Sequence, residues 1–197
     1  MTDDISLVAL SGLGPQRAAE VRALIRDVPG YPHEPIIFRD ITPLLADGRA
    51  LADVIEAFAR LCAGPAGHVV DVVAGMEARG FLLGAPLATR LGVGFVPLRK
   101  AGKLPPPVDR VEYDLEYGSA AIELRRGTIT RGQRVLVIDD VLATGGTAAA
   151  AAELVERSGA EVVALAFLLE LAGQGGRERL EGRVLETLLR VEASVQS

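Results

Sequence analysis

The stretch RVLVIDDVLATGGTAAAAAEL, residues 134–154, constrains the fold more than any other. Val, Leu and Ile at 135–138 read as a buried strand, and Asp139 and Asp140 follow it. A Thr-Gly-Gly-Thr turn then leads into an alanine-rich helix near 147–158, closed by Gly159. Strand, glycine turn and helix make half of a βαβ unit, and the same rhythm recurs along the chain. Residues 69–74 read as a strand, 75–80 as a turn, 81–91 as a helix stopped by Gly92, 93–98 as a strand and 161–169 as another. Short apolar strands spaced by helices predict an α/β fold with a mostly parallel sheet flanked by helices. Residues 50–63 carry an amphipathic pattern that would cover one face.

Two regions break the rhythm. Residues 1–43 contain a helix-like stretch and then the turn-rich YPHEPIIFRDIT, which predicts a small cap beside the sheet. Residues 99–118, RKAGKLPPPVDRVEYDLEYG, combine bases, three prolines in a row and acids. A connection this long inside a compact domain is a functional loop or a hairpin. The expected organisation is one domain over 1–197, with a cap at about 1–43, a core at about 44–171 and a tail at about 172–197.

Composition narrows the setting. The 197 residues carry a net charge of −5, which argues against broad nucleic-acid binding, so any anionic ligand needs a local cluster of bases. Cys62 is the one cysteine and His33 and His68 are the two histidines, which leaves no intrachain disulfide and no zinc cage. The acidic start MTDDISLVAL lacks the basic region of a signal peptide, and no apolar run approaches the ~18 residues of a membrane span. A reducing, cytoplasmic setting without membrane contact is expected.

The motif itself poses a chemical puzzle. Gly145 and Gly146 let the backbone wrap closely around a ligand and aim amides at it, Ala143 lies in the same turn, and Thr144 and Thr147 add hydroxyls. With the positive end of the following helix, these suit a phosphate monoester. Asp139 and Asp140 would repel that phosphate unless the same ligand also offers donors, because ionised carboxylates only accept hydrogen bonds. A ribose 5-phosphate offers both, a diol for the acids and a phosphate for the turn. Neither a P-loop nor a dinucleotide fingerprint fits, since no lysine follows the glycines and the GxGxxG spacing is absent. The plainer alternative is a structural turn after a solvated acidic strand end.

Cations occur near two other strand ends. Arg79 lies in the Gly-flanked GMEARGF, and Arg99, Lys100 and Lys103 follow the strand in FVPLRKAGKLP. Four bases at one sheet edge could hold a pyrophosphate with Mg²⁺ bridging its oxygens. The alternative for each is an ordinary solvated base.

VLVIDDVLATGGT resembles the phosphoribosyl-pyrophosphate motif of the type I phosphoribosyltransferases without interruption. With IIFRDIT at 36–42, GMEARGFLLGAPLA at 75–88, VPLRKAGKLP at 96–105 and YDLEYGSAAIEL at 113–124, the chain resembles the adenine phosphoribosyltransferase branch from about residue 31 to 171. That resemblance implies a five-stranded parallel core, a small N-terminal hood, a flexible catalytic loop and a homodimer. It implies the Mg²⁺-dependent conversion of adenine and 5-phosphoribosyl 1-pyrophosphate to AMP and pyrophosphate. It assigns Phe38 to stack on the purine and Ile37 and Arg39 to read its edge through backbone groups. It assigns Glu116 to act on the purine ring nitrogens and Tyr117 to close the site. From sequence alone, Phe38 could equally be a core aromatic and Glu116 an exposed loop acid.

Two rivals remain at this level. A phosphoribosyltransferase for a 6-oxo purine needs a donor where adenine needs an acceptor. A non-catalytic purine-sensing regulator would carry a DNA-binding module, for which the roughly thirty residues before Tyr31 leave little room. The chain departs from the family at Glu34-Pro35, ahead of the purine segment, and in a tail with no aromatic residue after Phe167.

Overall fold

The apolar runs pair side by side as the centre of one large sheet. The computed structural model describes residues 5–7, 10–63, 69–114 and 118–192. The first half comprises β1 (Ile5–Leu7), a 3-10 turn (Leu10–Leu13), α1 (Pro15–Ala23), β2 (Arg26–Pro29), β3 (Ile37–Asp40), α2 (Thr42–Ala46) and α3 (Gly48–Ala63). Next come β4 (Val72–Met76), α4 (Arg79–Leu91), β5 (Gly94–Lys100), β6 (Val108–Asp114) and β7 (Ser119–Arg125). The chain continues through β8 (Arg134–Leu142), α5 (Gly146–Arg157), β9 (Glu161–Leu171), α6 (Gly176–Arg179) and β10 (Leu185–Val191).

The sheet has eight strands in the order β1-β10-β9-β8-β4-β5-β7-β6. The run β10-β9-β8-β4-β5 is parallel throughout, the five-stranded core that the resemblance implied. Antiparallel strands finish both edges, β1 against β10 and the β6–β7 hairpin against the end of β5. The small second sheet, β2 paired antiparallel with β3, is the hood.

A parallel sheet must be covered on both faces, and the period-2 alternation of side chains shows how. On β8, Leu136 and Ile138 join a core with Phe58 of α3 and Leu83 and Leu87 of α4. Val135 and Val137 face the other way, onto Ala150, Ala151 and Leu154 of α5. Each of these Val, Leu, Ile and Phe side chains, once fully buried, contributes about 1.5–3 kcal/mol. The alanines of α5 favour helix and are small enough for it to lie close on the sheet. Gly92, at φ 72°, caps α4 in the left-handed conformation that suits glycine.

Three strands depart from their expected bounds. Strand β4 covers Val72–Met76, later than the expected 69–74. Strand β8 does not stop at Ile138 but continues to Leu142, because Val141 and Leu142 keep their ladder with Leu169 and Glu170 of β9. Strand β5 likewise runs on through Arg99 and Lys100, which pair with Glu123 and Ile122 of β7. Within the tail, β10 adds a parallel strand to the sheet and fully buries Leu188 and Leu189. Among the described residues, no helix is long and apolar enough to cross a membrane.

Candidate active site

The carboxyl ends of β4, β5 and β8 meet at one edge of the sheet, where open α/β sheets bind ligands. Beyond β8, residues 143–147 turn into α5 around Gly145, which takes φ 76° at the helix N-cap. Asp139, Ala143, Thr144, Gly145, Gly146 and Thr147 line a pocket of about 100 Å³, with Met76 and Phe167 among its apolar walls. Its helix N-terminus and small residues suit one phosphate group.

Asp139 and Asp140 occupy different environments. Asp139 is half-buried, lines the pocket and accepts the Asp140 amide at 2.9 Å. Asp140 is 3% exposed and faces the Arg79 guanidinium, with Nε 2.5 Å from Oδ2. Burial and the neighbouring Asp140 carboxylate push Asp139 well above the ordinary carboxylate range. Burial also raises Asp140, while Arg79 pulls it the other way.

The helix bearing Arg79 sits very close to this strand end. A Cβ at Gly80 would lie 2.6 Å from the Ile138 carbonyl oxygen, so only glycine lets α4 start there. Arg79 therefore reaches two partners. Its guanidinium carbon also lies 5.0 Å from the centroid of the Phe38 ring, a cation–π distance.

The hood supplies Phe38. Tyr31 meets it edge-on, with ring centroids 5.3 Å apart at 74°. Arg39, opposite Asp27 across the β2–β3 ladder, sends Nη1 to within 2.5 Å of Asp27 Oδ1 and is buried. Ile37 is exposed on the same strand.

The remaining bases gather on a residue that sequence reasoning passed over. Glu77 follows β4 and accepts from the Lys100 amide at 2.9 Å, from Arg99 Nε at 3.3 Å and from the Lys103 ammonium. Burial alone would raise its carboxyl, but these three donors hold it at about 2. Buried Glu123 of β7 takes the Gly102 amide at 3.0 Å, so two acids fix the turn that carries the cations. Glu77 stood in plain view in GMEARGF, yet its partners lie on β5 and beyond, a contact that local spacing does not encode. Glu116 and Tyr117 fall between β6 and β7 and lie outside the described residues.

A glycine turn at a helix N-terminus, a carboxylate pair and a group of bases thus share one sheet edge, with Phe38 of the second sheet against Arg79. The family model described as phosphoribosyl transferase domain matches residues 41–192. The adenine phosphoribosyltransferase of Kineococcus radiotolerans is 60% identical over 171 residues, covering 87% of this chain and 91% of that one. That of Saccharopolyspora erythraea is 56% identical over 174 residues, covering 87% and 92%. Among solved structures, the adenine phosphoribosyltransferase of Thermoanaerobacter pseudethanolicus superposes with a TM-score of 0.84 at 46% identity, covering 88% of this chain and 99% of that one. The Saccharomyces cerevisiae enzyme, solved with an imino-altritol bisphosphate and adenine, also gives 0.84, at 40% identity and covering 88% and 98%. The chain belongs to the phosphoribosyltransferase family, within its adenine phosphoribosyltransferase branch.

Proposed function

We propose that the chain transfers a 5-phosphoribosyl group from 5-phosphoribosyl 1-pyrophosphate to adenine, giving AMP and pyrophosphate in purine salvage. The observation that carries this reading is the Arg79 guanidinium, which spans Phe38 of the hood and Asp140 of the core. A base stacked at Phe38 and a ribose held at Asp140 then lie on either side of one cation.

In this reading the turn of Ala143, Thr144, Gly145, Gly146 and Thr147 takes the 5-phosphate. Asp139 and Asp140 accept from the ribose diol. Arg79, Arg99, Lys100 and Lys103 hold the pyrophosphate. The bond from the anomeric carbon to pyrophosphate breaks as the bond to the purine nitrogen forms, and cationic charge builds on the ribose between those steps. The buried Asp140 and half-buried Asp139 carboxylates, fixed before the reaction, favour that charge. Glu116 takes the proton released by the attacking nitrogen, worth about 10²–10⁴ in rate, and Tyr117 helps exclude water.

Mg²⁺ demands six oxygens and usually takes several of them from water and substrate phosphates. The chain's donor set fits that habit. Asp139 lines the cradle, and its carboxylate would supply an oxygen beside those of the substrate phosphates. When bound, the ion neutralises the leaving pyrophosphate. A homodimer in the cytoplasm completes the reading, supported by the resemblance.

Purified protein with Mg²⁺ and 5-phosphoribosyl 1-pyrophosphate, offered adenine, hypoxanthine, guanine and xanthine in turn, tests it. AMP from adenine is the expected product. A nucleotide formed only from the 6-oxo purines would move the assignment to that class, and no nucleotide from any base would end it.

A further inference from the structure

The phosphate-binding turn is backed by a second glycine turn from far downstream. A Cβ at Gly145 would come within 3.0 Å of the Gly176 carbonyl oxygen and 3.2 Å of its Cα. A Cβ at Gly176 would collide with the Ala143 carbonyl oxygen and stand 2.9 Å from Leu142 Cδ1. Backbone thus rests on backbone, and no side chain fits between them.

One buried carboxylate holds this second turn in position. Glu170, 4% exposed near the end of β9, takes Arg177 of α6 in a two-pronged contact. Arg177 Nε lies 2.9 Å from Oε1 and Nη2 2.5 Å from Oε2. Thr187 of β10 donates its hydroxyl to the same carboxylate at 3.3 Å. Glu170 also pairs in register with Leu142, the last residue of β8 before the cradle. Gly145 and Gly146 give the cradle its close approach, but glycine alone leaves a backbone free to move. Aimed amides stabilise a ligand only if something outside them fixes the aim.

We propose that Glu170 and Arg177 are positioning residues for the 5-phosphate site. Their ion pair clamps α6 against residues 143–145 and so sets where the cradle amides point. The proposal rests on the reading that residues 143–147 take the 5-phosphate. It predicts a selective defect: ligands bearing the 5-phosphate weaken, while adenine and pyrophosphate do not.

The test uses Arg177→Ala, which removes the clamp, and Gly176→Ala, which keeps it but wedges the two turns apart. Arg177→Lys is the conservative variant, since lysine replaces the fork with a point contact. Affinity for ribose 5-phosphate is measured by calorimetry and affinity for inorganic pyrophosphate alongside it. KM for 5-phosphoribosyl 1-pyrophosphate and for adenine, kcat and the thermal midpoint are also measured. Misaiming a positioned group by about 1 Å can cost as much as 10²-fold, so ribose 5-phosphate should weaken at least roughly 10-fold in the first two variants. Arg177→Lys should fall between them and the parent. Lower melting temperatures with unchanged ribose 5-phosphate affinity would overturn the proposal, as would equal losses for ribose 5-phosphate and pyrophosphate. If Arg177→Ala does not fold, Gly176→Ala and Arg177→Lys decide. Failure of the underlying reading looks different. A parent protein that does not bind ribose 5-phosphate overturns the site assignment and the clamp together. One that binds it yet makes no AMP overturns only the adenine reaction.

Discussion

Arg79 and Asp140 form an unequal pair: their atoms are 2.5 Å apart, yet the arginine side chain is 39% exposed and the aspartate side chain 5%. Removing the arginine therefore strands a carboxylate that water cannot reach, whereas the converse change leaves a cation that solvent can still hold. Arg79→Ala should push Asp140 further above its ordinary range, because burial already raises it and Arg79 is the charge opposing that rise. The acid limb of donor binding should move to higher pH, and kcat/KM for the donor should fall roughly 10- to 100-fold, the scale of leaving a buried charge without its ionic partner. A pH profile of kcat/KM reads both. An unmoved acid limb would mean that Asp140 does not need its partner.

Asp139 leads to a stability prediction of opposite sign. A carboxyl whose folded-state value is raised binds more protons when folded than when unfolded. The native state therefore loses stability as pH rises from the ordinary 3.8 through the raised value. The free protein carries that cost in full once pH exceeds the raised value. Asp139→Asn removes the charge yet keeps an oxygen to accept the Asp140 amide. Its gain in melting temperature should grow as pH rises above the ordinary 3.8, by roughly 2–4 °C for each kcal/mol recovered, and should vanish below about pH 4. Donor affinity should fall at the same time, the usual trade between stability and function. Calorimetric melts across pH settle the sign.

Local pattern made part of this architecture legible. The apolar runs of β4, β5, β8 and β9 and the helices between them follow from periodicity, and so does the glycine turn of the cradle. What escaped is long-range. Strand β8 continues through two acids because β9 offers it a ladder, and nothing in IDDVL announces that. Strand β10 becomes a strand by pairing with β9, and β1 by pairing with β10, the latter a contact that spans most of the chain. Glu170 ends an apolar strand where charge reads as a stop, and only its arginine partner explains its burial. Glu77 has no local partner in GMEARGF, since its three donors come from the next strand and its turn.

Glu77 should make the protein sensitive to acid. Its folded value of about 2 lies below the ordinary 4.5, so its stabilising effect is complete above about pH 4.5 and is lost as pH falls toward 2. Glu77→Gln should lower the melting temperature at pH 7 and flatten its decline between those two values. The loss should stay near 1–2 kcal/mol, because Arg99 and Lys103 are exposed enough to turn to water. Melting curves of both proteins at several acid pH values provide the check, and parallel declines would remove Glu77 from the account.

Phe38 separates acceptor from donor. Its ring belongs to the β2–β3 hood, while the cradle belongs to the core sheet, so a change at Phe38 should act on the base alone. Stacking of a base on an aromatic side chain is worth about 1–3 kcal/mol, which corresponds to roughly 5- to 150-fold in affinity. Phe38→Ala should raise the adenine KM within that range. It should leave ribose 5-phosphate affinity within roughly twofold of the parent, and it should cost little stability, since Phe38 is only half-buried. The T-shaped contact with Tyr31 complicates a leucine replacement, because the edge of Tyr31 would lose the ring it meets. Phe38→Tyr keeps both the ring and that contact and should restore most of the adenine affinity. An alanine variant that weakens the ribose ligand as much as adenine would mean that Phe38 supports the site as a whole and is not the platform for the base.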